Sequence, residues 1–249
     1  MLGQLELVTG LDKSGFAIKV LRDNEPPEGY YLGFSGGKDS VVLYDLAVKA
    51  GVKFDAHYCV SPIDPPQIYQ FIKEHYHDVI WDRHAKGWWK IVVKNGLPLR
   101  MARWCCRVIK EAGGAGRYIL IGVRASESSK RKTYKIVETN RADTSSVFVR
   151  PMLSFTDYDV WQYIKENNLP YCHLYDEGFK RLGCVLCPFS SDIARQERYF
   201  PKIVANWKRA CEKIVANTKG RGYLTKRGKP VKHRFETGEE LYQWWVSRK

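Results

Sequence analysis

No stretch of this 249-residue chain approaches the roughly 18 uninterrupted apolar residues that a membrane-spanning helix requires. Its first residues, MLGQLELVTGLDK, lack the positive and long apolar regions of a secretion signal. Both absences lead us to expect a cytoplasmic protein with no membrane partner. There is no internal repeat and no low-complexity tract, so at this length one α/β domain with a sizeable core and a small appendage is expected. Acidic residues are also scarce: 41 Lys and Arg stand against 27 Asp and Glu, a net charge of +14. That excess concerns partners and points to polyanions. The scarcity is sharpest in residues 219–234 (KGRGYLTKRGKPVKHR), with seven Lys or Arg and no acid. This segment reads either as a solvated basic loop or as a nucleic-acid contact.

The most informative residues that are present are 31–40, YLGFSGGKDS. An apolar run ends in Ser35, Gly36, Gly37, Lys38, Asp39 and Ser40, and a helical pattern begins at once. A strand that feeds a glycine-rich turn into a helix N-terminus makes an anion site. Glycine lets the backbone approach the ligand, and the unpaired amides of the first helical turn point at it. Ser35 and Ser40 add hydroxyls and Lys38 adds positive charge. The spacing is not that of a Walker A loop, which needs four residues between its first glycine and the Gly-Lys pair.

Strands are predicted at residues 53–60, 79–81, 117–122 and 146–152, alternating with helices at 65–76, 87–95 and, after a Thr156 cap, 157–168. Such alternation predicts an α/β fold: a mainly parallel twisted sheet with helices on both faces, followed by a helical and irregular C-terminal extension. The expected division is an N-terminal extension (1–28), a nucleotide-binding domain (29–170) and the extension (171–249). The latter holds a cysteine loop at 171–191, one long helix over about 192–217, the basic loop and an amphipathic segment at 238–246. Ligands in such sheets sit at the carboxyl ends of strands, where SGGKDS lies.

Seven cysteines in a chain of this kind point to metal or catalysis before disulfides. Cys105 and Cys106 are adjacent in RWCC, and Cys184 and Cys187 form a C-x-x-C with 77 residues between the pairs. A C-x-x-C turn brings two thiolates to one centre. Adjacent side chains diverge on any regular element, so the tandem pair can ligate one centre only at an irregular junction. Four thiolates suit a [4Fe–4S] cluster, with a single zinc ion or unliganded thiols as the other readings. Cys59, Cys172 and Cys211 read as structural.

SGGKDS resembles the PP-loop of N-type ATP pyrophosphatases, which split ATP between its α and β phosphates. Together with the CC…C-x-x-C spacing, GVRASES (122–128) and the run RPMLSFTDYDVWQYIKENNLPYCHLYDEGFKRLGCVLCP (150–188), it resembles the phosphoadenosine-phosphosulfate reductase superfamily, of adenine nucleotide alpha hydrolase-like fold. Within it the chain looks most like the iron–sulfur branch of adenylyl-sulfate reductases and the ATP pyrophosphatase of DNA phosphorothioation. The resemblance implies a [4Fe–4S] cluster on Cys105, Cys106, Cys184 and Cys187. It further implies that Gly122 and Arg124 lie at the nucleotide, Arg124 reaching its phosphates.

Two features depart from the reductases. No Glu-Cys-Gly motif is present, and Val60-Ser61-Pro62-Ile63-Asp64 stands where Asp-Thr-Gly is usual. The expected activity is therefore ATP cleavage to AMP and pyrophosphate, with Lys38, Asp39 and Arg124 as catalytic residues and Mg²⁺ held largely by phosphates and water. Sulfur would then enter an adenylated acceptor, DNA ahead of tRNA, from a donor such as a cysteine desulfurase, in a monomer or a homodimer. Three rival expectations are a sulfite-forming adenylyl-sulfate reductase, a tRNA thiolase, and a non-catalytic nucleotide- or DNA-binding module.

Overall fold

The structure is a computed structural model that describes residues 10–219 and 235–247. Residues 220–234, nearly all of the expected basic loop, lie outside the described residues. In chain order the elements begin α1 (Lys13–Asp23), β1 (Tyr30–Gly33), α2 (Lys38–Ala50), β2 (Phe54–Cys59), α3 (Pro66–His75) and β3 (Ile80–Asp82). They continue with α4 (Trp88–Asn95), α5 (Trp104–Ile109), β4 (Tyr118–Leu120), β5 (Val137–Thr139), β6 (Val147–Val149) and α6 (Asp157–Glu166). The last are α7 (Ile193–Tyr199), α8 (Pro201–Lys219) and α9 (Gly238–Ser247). No helix among the described residues is long and apolar enough to cross a membrane.

The chain groups into two compact units that alternate along the sequence. One comprises Met1–Val60, Pro66–His84 and Lys110–Leu182; the other comprises Ser61–Pro65, Ala85–Ile109 and Gly183–Lys249.

The first unit carries the whole sheet, ordered β3-β2-β1-β4-β6-β5. Every pairing is parallel except β5 with β6. The central strand β1 is buried, with Tyr30 and Leu32 fully so, as expected for a strand covered on both faces. From β1 the chain runs outward to β2 and β3, then returns to lay β4 on the other side of β1. The carboxyl ends of β1 and β4 therefore flank the point where the strand order reverses, the place where α/β sheets open a ligand crevice. SGGKDS follows β1 and GVRASES follows β4. Helix α2 packs against α1 and α6. Its interior face, Val41, Val42, Leu46 and Ala47, is fully buried, and Gly51 stops it in a left-handed conformation at φ 69°.

The second unit is helical and built around tryptophan. Trp88, Trp207 and Trp245 are almost wholly buried, with the rings of Trp207 and Trp245 4.7 Å apart and Trp245 Nε1 donating to Pro98 O at 2.8 Å. The long helix expected over about 192–217 is two helices. Phe200 (φ −123°, ψ 53°) separates α7 from α8, because the residue before Pro201 is pushed out of the helical region and the proline has no amide to donate.

Thr156 caps α6 as expected. Its hydroxyl accepts from the Asp159 amide at 3.2 Å, while the Asp159 carboxylate accepts from the Thr156 amide and from Lys13 Nζ of α1. Burial opposes the Asp159 charge, but the bonds from Lys13 and Thr156 outweigh it and hold the carboxyl below the ordinary value of 3.8. A depressed carboxyl stabilises the fold above its unfolded value and stops doing so as pH falls through the folded one. Asp159→Asn should cost about 0.5–2 kcal/mol at neutral pH. The gap from the parent should close as pH drops below 3.8, read by urea unfolding across that range. A gap that persists in acid would show that the charge is not what holds α6 in place.

Candidate nucleotide site and thiol cluster

The turn after β1 has its conformation dictated by sequence. Gly36 sits at φ 69°, and a Cβ there would meet Ile68 Cγ2 at 2.9 Å, so only glycine fits. Gly37 is the N-cap of α2 and supplies no capping side chain. The turn is closed instead by serines: Ser35 Oγ donates to Ser40 Oγ at 3.2 Å, and Ser40 Oγ donates to Gly37 O at 2.8 Å. Gly122, just beyond β4, allows a second close approach. A Cβ there would stand 3.0 Å from Asp39 O, so its absence lets the segment after β4 lie against the start of α2.

That approach brings Lys38 and Arg124 into one cluster. Both side chains are nearly solvent-free, at 4% and 5% exposure. Lys38 Nζ lies 3.3 Å from Asp39 Oδ2 and 3.1 Å from Asp157 Oδ1. Arg124 pairs with the same two carboxylates, Nε 2.6 Å from Asp39 Oδ1 and a terminal nitrogen 3.1 Å from Asp157 Oδ1. The Arg124 Nε–H has no aligned hydrogen-bond acceptor in this arrangement. All the expected nucleotide residues, Ser35 to Ser40 with Gly122 and Arg124, thus meet at the carboxyl ends of β1 and β4.

Three members of the cluster were not singled out from sequence. Asp157 opens α6, Tyr175 accepts from the Lys38 amide at 3.0 Å, and the Lys38 ammonium lies 5.9 Å from the Tyr175 ring centre. Burial raises the Tyr175 phenol far above its ordinary value, so it stays protonated and keeps its own O–H to donate. Arg131 is the third: burial first, then the nearby Arg181 and Arg124, lowers its guanidinium from the ordinary value. Asp157 and Tyr175 both fall inside the long run 150–188, which is the signal that could have found them.

The four thiols all belong to the second unit. Cys105 and Cys106 open the six-residue helix α5, directly after the loop in which Leu99 and Ala102 form an isolated bridge. Both cysteines lie within that helix and not at the irregular junction expected from sequence, so their side chains leave it in different directions. The C-x-x-C turn is fixed from several sides. Val185 N donates to Ile63 O at 2.7 Å, Leu186 N to the Gln196 side chain at 2.7 Å, and Cys187 N to Cys184 O at 3.2 Å. Leu186, wholly buried, is held at φ 58°, a conformation that costs a branched side chain about 1–3 kcal/mol. Ser61 Oγ lies 3.8 Å from Cys184 Sγ, and Arg103 donates to Cys106 Sγ at 3.5 Å. Hydrogen bonding to Cys106 and burial, with the fields of Cys106, Cys184 and Cys187, push the Cys105 thiol far above its ordinary value.

The other cysteines stand apart. Cys172 and Cys211 are buried, and burial pushes the Cys211 thiol up to about 12. Cys59 ends β2 beside Asp82 and His84, the only three metal-ligating groups among the described residues whose ligand atoms lie within 4.8 Å of one another.

Several known proteins share this framework. An adenosine 5'-phosphosulfate reductase of Lysinibacillus sphaericus is 34% identical over 201 residues, 74% of this chain and 85% of that protein. Two uncharacterized proteins of Methanocaldococcus jannaschii are 27% and 28% identical over 78% and 70% of the chain, which spans only 44% and 45% of their length. Among solved structures, a phosphoadenylyl-sulfate reductase from Candida auris superposes with a TM-score of 0.53 at 20% identity, over 68% of this chain and 87% of that one. The Candida glabrata FMN adenylyltransferase in complex with ATP gives 0.50 at 18% identity, over 70% and 60%. Residues 29–190 match the phosphoadenosine phosphosulfate reductase domain, a span that takes in the turn after β1, the Arg124 segment and all four clustered cysteines. The chain belongs to that family.

Proposed function

We propose that the first unit binds ATP and cleaves it to AMP and pyrophosphate, transferring adenylate to an acceptor that is then thiolated. The observation that carries this reading is the pair of buried cations, Lys38 and Arg124, at the mouth of the glycine turn. A triphosphate laid on residues 35–40 meets the amides that start α2, the Lys38 ammonium and the Tyr175 hydroxyl. The Arg124 Nε–H, which lacks an aligned acceptor, gains one in a phosphate oxygen. An acceptor oxygen attacks the α-phosphorus, the α–β bridging bond breaks, and pyrophosphate leaves with the electron pair. The chain contributes positioning and charge neutralisation, which is most of what phosphoryl-type transfer asks of a protein. Asp39 is flanked by both cations, so its part is to hold them in place, and Mg²⁺ arrives largely on phosphates and water.

The second unit fits an iron–sulfur cluster on Cys105, Cys106, Cys184 and Cys187. Four thiols near enough to raise one of their number cannot all ionise without a compensating positive centre. Such a cluster supplies a site that binds or relays sulfur. The excess of positive charge favours a nucleic acid as acceptor, with the DNA backbone ahead of tRNA, and a cysteine desulfurase as donor.

Lys38→Ala should abolish pyrophosphate release from ATP while leaving iron content at the parent level. Retained release would end the assignment of Lys38. Cys184→Ser, purified without oxygen, should lose the brown colour of the cluster and most of its iron. A full iron complement in that variant would exclude Cys184 as a ligand. Tyr175→Phe tests the hydroxyl: we expect a drop of about tenfold in pyrophosphate release with the unfolding midpoint preserved. The acceptor is read directly by mass spectrometry of nuclease-digested DNA and RNA from cells with and without the protein. Sulfite formed from adenylyl sulfate with a thiol donor would instead support reduction.

A further inference from the structure

The second unit has a pocket of about 600 Å³ between α4 and α8 that is open to solvent on one side. Its charge is one-sided. Lys90 and Lys94 line it from α4, Arg209 and Lys213 line it from α8, and no Asp or Glu among the described residues lines it. Each pair is spaced four residues apart, one helical turn, or about 6 Å along the axis. Trp89 gives the cavity an aromatic wall, its ring 5.2 Å from that of Trp207 at 84°, and Asn206 adds an amide whose oxygen accepts from Arg209 and whose NH₂ donates. The surrounding sequence deepens the bias: residues 85–109 hold six Lys or Arg and no Asp or Glu. Four like charges around one cavity repel each other, and a polyanion entering it relieves that repulsion while releasing its own counterions.

Size and layout narrow the ligand. A pocket of this volume seats one or two nucleotides, and only an unpaired base can lay its face on Trp89. A lone phosphate answers one row of cations and leaves the other facing it unneutralised. A strand answers both, its phosphates following the paired rows while a base lies against Trp89 and Asn206, the arrangement by which single strands are held without strict sequence preference.

We propose that the cavity between α4 and α8 binds single-stranded nucleic acid, its phosphates on Lys90, Lys94, Arg209 and Lys213. The inference takes from the reading above only that the acceptor is a nucleic acid; binding itself needs neither ATP nor metal. The cavity and the four thiols belong to the same compact unit, and α4 leads through one loop into the helix that carries Cys105 and Cys106.

The test uses the full chain purified without oxygen and a fluorescent oligothymidine of about 20 nucleotides, longer than one binding site. Anisotropy titrations run between about 50 and 200 mM salt. The double substitution Lys94→Glu with Lys213→Glu should weaken binding at least about tenfold. It should also flatten the log–log salt slope by about 1.4, because each phosphate contact on a single strand contributes about 0.7. Lys94→Gln with Lys213→Gln, at a parental unfolding midpoint, should give a smaller loss in the same direction. Parental affinity and slope in the Gln pair overturn the proposal. So does a blunt duplex that binds as tightly as the single strand, or a polyglutamate peptide that competes as well as the oligonucleotide, which would assign the cavity to an acidic protein. If the parent releases no pyrophosphate yet binds the strand through these lysines, the ATP reading falls and the cavity stands. Pyrophosphate release with no lysine-dependent binding has the opposite meaning.

Discussion

Two positive charges kept almost out of water, Lys38 and Arg124, are the constraint around which the first unit is arranged. An isolated buried cation is costly, and removing one partner of a buried pair typically costs about 3–5 kcal/mol. The protein answers with two carboxylates, and it places them unevenly. Asp39 is 24% exposed and Asp157 64%, against 4% and 5% for the cations. The cations are therefore the fixed members of the cluster, and Asp157 is the member in contact with solvent. A phosphate approaching from that side can take over the role of Asp157 without any cation losing its counter-charge. The arrangement keeps both cations counter-charged while leaving one carboxylate at the surface.

Each element near the cluster serves that placement. Gly36 and Gly122 are spaces, one filled by Ile68 and the other by the backbone of Asp39. Parallel pairing of β1 with β2 on one side and β4 on the other puts the two loops at one edge of the sheet. The Lys13 bond to Asp159 and the Thr156 cap fix where α6 starts, and hence where Asp157 stands. The reversal in strand order is what brings these two loops together.

The parts of this design legible in sequence are those whose cause is local. The turn at 35–40, the Thr156 cap and the buried runs of β1 and β4 are each set by residues within a few positions of one another; the C-x-x-C spacing is local, but its turn is also held by Ile63 and Gln196. What escaped was long-range or short of signal. Tyr175 meets Lys38 across 137 positions, a contact no periodicity announces. Strand β5 has three residues, two of them exposed, on the antiparallel edge, too few to show alternation. Helix α1 carried a capping Asp12 but a weak apolar face, with Ala17, Val20 and Leu21 its buried residues. The two compact units interleave three segments each, and composition along a chain does not report which segments share a core.

The cysteines show how burial divides structural from reactive thiols within one chain. Reactivity requires a thiolate that solvent or substrate can reach. Cys211, with no exposed surface and its thiol raised to about 12, meets neither condition near neutral pH. Cys172 is 1% exposed, and burial raises its thiol too. A reduction route that used this chain's own nucleophile would have to begin at one of those two or at Cys59, whose sulfur faces the Tyr31 hydroxyl and lies beside the Asp82 carboxylate. The half-exposed quartet is different, because its sulfurs share one neighbourhood and one requirement for positive charge. Burial therefore sets Cys172 and Cys211 apart from the quartet, whose four thiols are partly exposed and grouped.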